Sequence, residues 1–460
     1  MQTLAPADWF ILGLYLLLLY GAAFRRARRT RDTEDFILAG RRLSLPAFVA
    51  TLVATWYGGI LGVGENTFTY GIQTWFIFGL PYYVFALAFA YGIAPRIRQT
   101  PFRSIPDQFH QTAGPPARIL AAVYIFLLAS PAPYILSIGI LLTFLFPLPL
   151  GPALLVAAVL SLLYIWFGGF GAVVRTDVIQ FLFMFLGFFC LVGFAWKSFG
   201  SPLQLWQSLP PTHRDPTGGN TWSYLLVWFF IASWTFVDPG FYQRCAAGQT
   251  PAVARRGILW SILFWFVFDA LTLLSGLYAR AMLSTNQPLF AFPLLGAEVL
   301  PPVVLGVFLV GLLATIMSTI DSLGLISAIT LGHDLPGRVP GTGDGKEIRR
   351  IRAGLVVSTF VALYLAWALP SVVRLWYVLG SLLIPGLLGP FLLSFSAWRL
   401  TGWEAFLQLL LPTLAAAVWW ALPRLTALVL PGEPFFVGLG LSVLLIVLSI
   451  LTRSFHPNPS

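Results

Sequence analysis

Residues 45–71 read LPAFVATLVATWYGGILGVGENTFTYG, an apolar run long enough to cross a bilayer that carries Gly58, Gly59, Gly62 and Gly64 within it. Glycine is a weak helix former, and clustered glycines mark places where a membrane helix kinks or unwinds. Residues 227–244, VWFFIASWTFVDPGFYQR, repeat the theme with Asp238, Pro239 and Gly240 in succession. Proline removes a backbone donor and clashes with the preceding turn, while glycine tolerates non-helical angles, so this segment is also expected to open. At membrane depth an open backbone survives only where protein or a water-filled cavity satisfies it. The two interrupted segments together predict a site.

That both segments lie in a membrane follows from composition. Of 460 residues 58% are hydrophobic and 10% charged, with 17 Trp, 15 Tyr and 40 Phe. A soluble chain carries about 25% charged residues, and this one lacks the polar surface to keep several cores in water. Apolar runs of about 20 residues or more fit helices, whereas barrel strands would alternate over about 10. Hydropathy places thirteen spans near 8–24, 44–64, 72–95, 116–147, 150–167, 170–196, 222–243, 256–283, 302–331, 350–369, 370–395, 404–428 and 433–452.

The loops test that count. Twenty-two of the 27 Lys and Arg fall on one side of this arrangement and five, Lys197, Arg214, Arg280, Arg374 and Arg424, on the other. A missed or invented span would scramble the alternation. The positive-inside rule then puts the N-terminus outside and the C-terminus in the cytoplasm, in a plasma (inner) membrane. The first span is expected to persist, because its flank MQTLAPAD carries Asp8 and no positive charge, unlike a cleavable signal. The net charge of +10 is read as this loop bias rather than as a nucleic-acid surface. Cys190 and Cys245 lie in or beside apolar segments and offer neither a disulfide framework nor a thiolate metal site. The stretch 336–350 and the tail 456–460 are polar and expected to be solvated.

The chain divides into an N-terminal helix with a basic loop (1–43), a five-span run (44–197), an external loop (198–221), a second five-span run (222–395) and two peripheral helices with a tail (396–460). An interrupted helix opens each run. Corresponding interruptions in two halves point to an inverted-repeat secondary transporter with its site near the midplane.

Four carboxylates fall within spans: Asp177, Asp238, Asp269 and Asp321. A charge in hydrocarbon costs at least ~2.5–3.5 kcal/mol, so each needs a partner, a cation or a proton. Asp269, in FWFVFDALTLL, has no polar sequence neighbour and reads as an interhelical contact. Within ATIMSTIDSLGLISAITLGHDL (314–335), Ser318, Thr319, Asp321 and Ser322 recur at three- and four-residue offsets and are expected to share roughly one helix face. Hydroxyl and carboxylate oxygens are the hard ligands that sodium takes. His110, His213, His333 and His456 fall in loops or tail without catalytic spacing, and GDGKE (343–347) lacks the pattern of a phosphate-binding loop. A membrane enzyme is therefore disfavoured.

Three stretches now carry a resemblance: FILAGRRLS (36–44) with ATWYGG (54–59), RTDVIQ (175–180), and IMSTIDS (316–322) with ISAITLGHDL (326–335). In this order and combination the chain resembles the sodium/solute symporter family, with its sodium/glucose, sodium/proline, pantothenate and sialic acid transporters. The resemblance implies an all-α polytopic membrane protein of thirteen helices with a LeuT-type core of two inverted five-helix repeats. It implies a coupling sodium ion held by the backbone carbonyls of Ala54, Tyr57 and Thr315 and the hydroxyls of Ser318 and Thr319. A second site, for sodium or a proton, would use Asp177, Ser318, Asp321 and Ser322; Asp321 departs from the pattern, since a serine is common there. The substrate would meet Thr55, Trp56, Gly58, Trp234, Thr235 and Asp238. Trp56 stands where relatives often carry a polar residue. Asp238 is available either to pair with an amino group of a solute or to cap the broken helix. The implied function is sodium-coupled import of a small organic solute by alternating access, with two coupling ions. The rival is a sodium-binding channel or sensor on the same core.

Overall fold

The computed structural model describes residues 4–27, 32–337, 343–396, 398, 400–426, 430 and 432–455. Arg28, Arg29, Arg31, Arg338 and Arg399, counted above among the loop charges, and the tail 456–460 lie outside them. Among the described residues the chain is helical, with a single parallel bridge between Leu43 and Gly248. The principal helices are α1 (Pro6–Ala27), α2 (Leu45–Trp56), α3 (Ile60–Tyr70), α4 (Leu80–Gly92), α5 (Ile105–Leu128), α6 (Ala132–Leu145), α7 (Leu150–Phe199), α8 (Trp222–Ile231), α9 (Pro239–Ala247), α10 (Pro251–Met282), α11 (Val304–Ile329), α12 (Asp344–Ala368), α13 (Val372–Leu393), α14 (Gly402–Leu425) and α15 (Pro434–Phe455).

Ten helical stretches among the described residues are long and apolar enough to cross a membrane, and eleven when the bent pair α2–α3 is counted as one. The expected number was thirteen. Shorter apolar helices, Pro6–Ala22 and Leu150–Ser161, stand where the first and fifth spans were expected. The second of these is continuous with the sixth expected span in α7, which is broken at Gly169, where φ is 56°.

Both expected interruptions are present, and they arise differently. The axes of α2 and α3 diverge by 57° across Tyr57, Gly58 and Gly59. Close approach enforces glycine here: a Cβ on Gly58 would lie 2.5 Å from both Thr319 Cβ and Tyr134 Cδ1, and one on Gly59 would overlap the Trp376 indole. In the other interruption α8 stops at Ile231, a single turn spans Trp234–Val237, and Asp238 is extended with ψ 118°. The Asp238 carboxylate accepts the Phe241 N–H at 2.9 Å and so caps α9, with Pro239 at the first helical position, where no donor is required.

The two arms of the site are held by tight helix contacts. A Cβ on Gly311 of α11 would lie 2.8 Å from Phe183 O of α7, so these backbones nearly touch, and this brings Asp177 against Ser318. Asp8 of α1 accepts the N–H groups of Val303 (2.8 Å) and Gly306 (2.9 Å), capping the start of α11. In the segment between α7 and α8 the His213 carbonyl accepts the Ile72 N–H at 3.0 Å. Burial lowers the His213 imidazole below its ordinary range, and its Nε2 lies 3.0 Å from Phe68 O.

Candidate functional site

The interruptions open onto one cavity, with about 1120 Å³ of empty space including its mouth. Its walls are aromatic: Trp56, Trp75, Phe78, Tyr82, Tyr134, Trp234, Phe241 and Trp376. Thr55, Thr74, Asp238, Arg244 and Asp269 supply polar groups. Trp56 is locked edge-on to Tyr82 (4.8 Å between centroids) and packs on Trp265 (5.4 Å), which fixes the ring at the cavity wall. Of the six expected substrate residues, Thr55, Trp56, Trp234 and Asp238 line this space. Gly58 instead packs against Thr319 and Tyr134, and the Thr235 hydroxyl is spent on Ala232 O at 2.9 Å. Asp269 bridges helices as expected: the hydroxyls of Tyr57 (2.8 Å) and Tyr83 donate to it. It also reaches the cavity, which the sequence did not reveal.

Beside the cavity lies a buried polar node. Ser318 donates to Asp177 Oδ1 at 2.6 Å, and Thr51 donates to Asp177 Oδ2. Thr319 donates to the Thr55 carbonyl at 2.7 Å, so a hydroxyl of α11 answers an oxygen in the last turn of α2. Ser322 lies 3.0 Å from the Thr55 hydroxyl. Among the residues expected to hold the first sodium, Ser318 and Thr319 thus face the end of α2 that carries Ala54 and precedes Tyr57. The Thr315 hydroxyl bonds back to Gly311 O at 2.7 Å.

At the second expected site the structure differs from the sequence reading. Asp177, Ser318 and Ser322 come together, but both Asp321 oxygens are buried with no hydrogen-bond partner. Helix angles alone do not decide this, since Asp321 stands only about 60° from Ser318; the packing of the neighbouring helices does. At about 100° per residue, Ser318 and Ser322 are nearly in line, while Thr319 and Asp321 flank them some 160° apart. The four side chains span most of a half-turn rather than one face.

The group that joins Asp177 and Ser322 is Arg244, which was counted among the loop charges and is 0% exposed. Its Nη2 lies 2.6 Å from Ser322 Oγ, 2.8 Å from Thr55 Oγ1, 3.0 Å from Thr51 Oγ1 and 3.7 Å from Asp177 Oδ2. A permanent cation therefore stands where the second ion was expected. No sequence signal separates Arg244 from a loop arginine, because it lies in the last turn of a nine-residue helix, three residues short of its end.

The fold matches a substrate-bound, outward-open Na+-coupled sialic acid symporter with a TM-score of 0.80, covering 98% of both chains at 16% identity. Among sequence relatives, the high-affinity proline transporter PutP of Bacillus subtilis is 25% identical over 93% of this chain and 94% of its own length. A putative sodium-dependent multivitamin transporter of Drosophila melanogaster is 24% identical over 72% of this chain, which spans 59% of that relative. The model of the sodium:solute symporter family matches residues 36–411, most of the sequence and every element of the site just described, and the chain belongs to that family.

Proposed function

We propose that this protein imports a small organic solute by sodium-coupled alternating access between two five-helix repeats, 44–197 and 222–395. It does so as a transporter and not as an enzyme. Counting the two shorter apolar helices with the eleven spans gives a thirteen-span topology, with the N-terminus outside the plasma membrane and the C-terminus cytoplasmic.

One observation carries the reading: the last turn of α2 before the interruption is met, beside a cavity, by the Thr319 hydroxyl of α11 on the Thr55 carbonyl, with Ser318 Oγ 3.5 Å from the Thr55 hydroxyl. A hydroxyl both donates and accepts, so Thr319 turns from donating to Thr55 O to offering a lone pair when a cation arrives. Sodium then takes the carbonyls of Ala54, Tyr57 and Thr315 with the two hydroxyls. Binding orders the interruption and favours the conformation in which the cavity accepts solute. Coupling requires this difference in affinity, since an ion that binds both states equally shifts neither.

At the Asp177 node Arg244 already supplies the charge, and we read coupling as one sodium per cycle rather than two. The aromatic walls suit an apolar or ring-bearing solute. The relatives are named for proline, vitamins and sialic acid, all small organic molecules. Thr55, Trp56, Trp234 and Asp238 touch the solute, while Gly58 and Thr235 shape the backbone behind them.

Proteoliposomes test this. An inward sodium gradient drives uptake of a labelled solute found by sodium-dependent thermal-shift screening, with a Hill coefficient for sodium near one. Labelled solute also exchanges against unlabelled solute in counterflow. A sodium-binding channel or sensor would show no counterflow, and that result would overturn the proposal.

A further inference from the structure

On the arginine-rich side, away from the cavity, three helices converge on one histidine. The last turn of α11 widens into a π-type turn over Thr330–Asp334, a deviation found often at functional sites. It carries His333 and Asp334, which are 3% and 1% exposed. Gly332 lets α12 press in, since a Cβ there would lie 2.5 Å from Ile351 Cα, and this seats Glu347 beside His333. The Glu347 carboxylate takes one ring nitrogen, Nδ1. The other, Nε2, faces Asp107 Oδ2 at 3.2 Å and Asp334 Oδ1 at 3.9 Å. Ser104 donates to Asp334 Oδ1 at 2.6 Å, which leaves Asp334 Oδ2 buried with no partner.

We propose that Asp107, His333 and Asp334 form a binding site for a divalent first-row transition-metal ion, with Glu347 holding the imidazole in place. The donor atoms lie within 4.8 Å of one another. Ligands about 2.0 Å from a tetrahedral zinc stand about 3.3 Å apart, so the Nε2–Asp107 spacing already fits and Asp334 needs a small side-chain rotation. One imidazole with two carboxylates suits zinc or manganese better than the soft, thiolate-bound metals. A carboxylate on the distal ring nitrogen is the usual support of a metal-bound histidine: it fixes the tautomer and raises the basicity of the other nitrogen. The unpartnered Asp334 oxygen supplies a further donor to such an ion. Asp107, with a side chain 28% exposed, gives the ion its way in. The ion would join the start of α5 to the end of α11, with α12 tied in through Glu347, and so restrain the helices that must part when the carrier opens on this side.

The site is separable from transport, because binding is read without any solute. Tag-free protein in nanodiscs is titrated with zinc against a chromophoric chelator and with cobalt by visible absorption. We expect one zinc per chain, loss of that binding in His333→Gln, and roughly 10–100-fold weaker binding in Glu347→Gln, which removes only the supporting carboxylate. Asp107→Asn serves as a second ligand variant if His333→Gln does not give monodisperse protein. Zinc is then expected to slow sodium-driven uptake by the unaltered protein and to spare uptake by whichever ligand variant has lost it. Absence of stoichiometric zinc binding, or binding unchanged in both ligand variants, overturns the proposal.

Discussion

Asp177 and Asp321 are both fully buried, on α7 and α11, helices that pack closely together, yet their surroundings are opposite. Asp177 receives two hydroxyl hydrogen bonds and has the Arg244 guanidinium at 3.7 Å. Asp321 has no hydrogen-bond donor on either oxygen. A charged carboxylate at membrane depth without donors bears its full desolvation cost, whereas one with hydroxyls and a cation recovers most of it. The contrast marks Asp177 as part of an assembled ionic centre that Asp321 does not join by any hydrogen bond, although the sequence spacing grouped them.

The largest effect is expected from breaking the assembled member. Arg244→Met leaves Asp177 buried without its cation, and severing one partner of a buried pair typically costs about 3–5 kcal/mol. Thermal unfolding in detergent should show a large drop in midpoint, with sodium-driven uptake lost. Asp177→Leu combined with Arg244→Met removes both charges and should recover much of that stability, because a buried pair replaced by apolar groups is often neutral. A double variant as unstable as Arg244→Met alone would show that the arginine acts through its hydroxyl contacts and not through Asp177.

A smaller effect tests the other flank of α11. Thr319→Ala removes the donor to Thr55 O and one proposed sodium ligand. A single hydrogen bond contributes about 1 kcal/mol, so stability falls by that order. The half-saturating sodium concentration for uptake rises roughly fivefold, the same energy expressed as affinity. Unchanged sodium dependence would exclude Thr319 from the sodium site while leaving the Asp177 centre standing.

How much of this was legible follows from what each residue signals by itself. Gly58–Gly59 and Asp238-Pro239-Gly240 announce interruptions because their backbone chemistry is local, and both interruptions are present. Asp238 left two roles open, and the structure shows it capping α9 while also lining the cavity. Arg244 was misplaced because counting charges by their distance from apolar runs assigns every arginine near a helix end to a loop. The grouping of Ser318, Thr319, Asp321 and Ser322 failed for another reason. Offsets of three and four give neighbours on one helix, but which neighbouring helix each side chain meets depends on packing: Thr319 meets α2, Ser318 meets α7, Ser322 meets Arg244 of α9 and Asp321 meets no hydrogen-bond donor. The thirteen-span count depended on two apolar helices shorter than the rest, Pro6–Ala22 and Leu150–Ser161, the second merged into α7.

The smallest expected effect falls on Asp321, and it sharpens the comparison most directly. If Asp321 coordinated a second coupling ion, Asp321→Asn would remove a charged ligand, lower the Hill coefficient for sodium and raise the sodium requirement steeply. If it lies outside the ionic centre, the amide should leave the Hill coefficient and the half-saturating sodium unchanged. Stability should then move by less than about 1 kcal/mol, the range of substitutions that break no paired interaction. Asp321→Leu goes further: with no donor to forfeit, an apolar side chain of similar size removes a buried polar group and should hold or raise the unfolding midpoint. The corresponding Asp177→Leu substitution strands Arg244 and should lower it. Opposite signs for the same replacement at two aspartates on adjoining helices would establish that the partners, rather than burial alone, decide which carboxylate works.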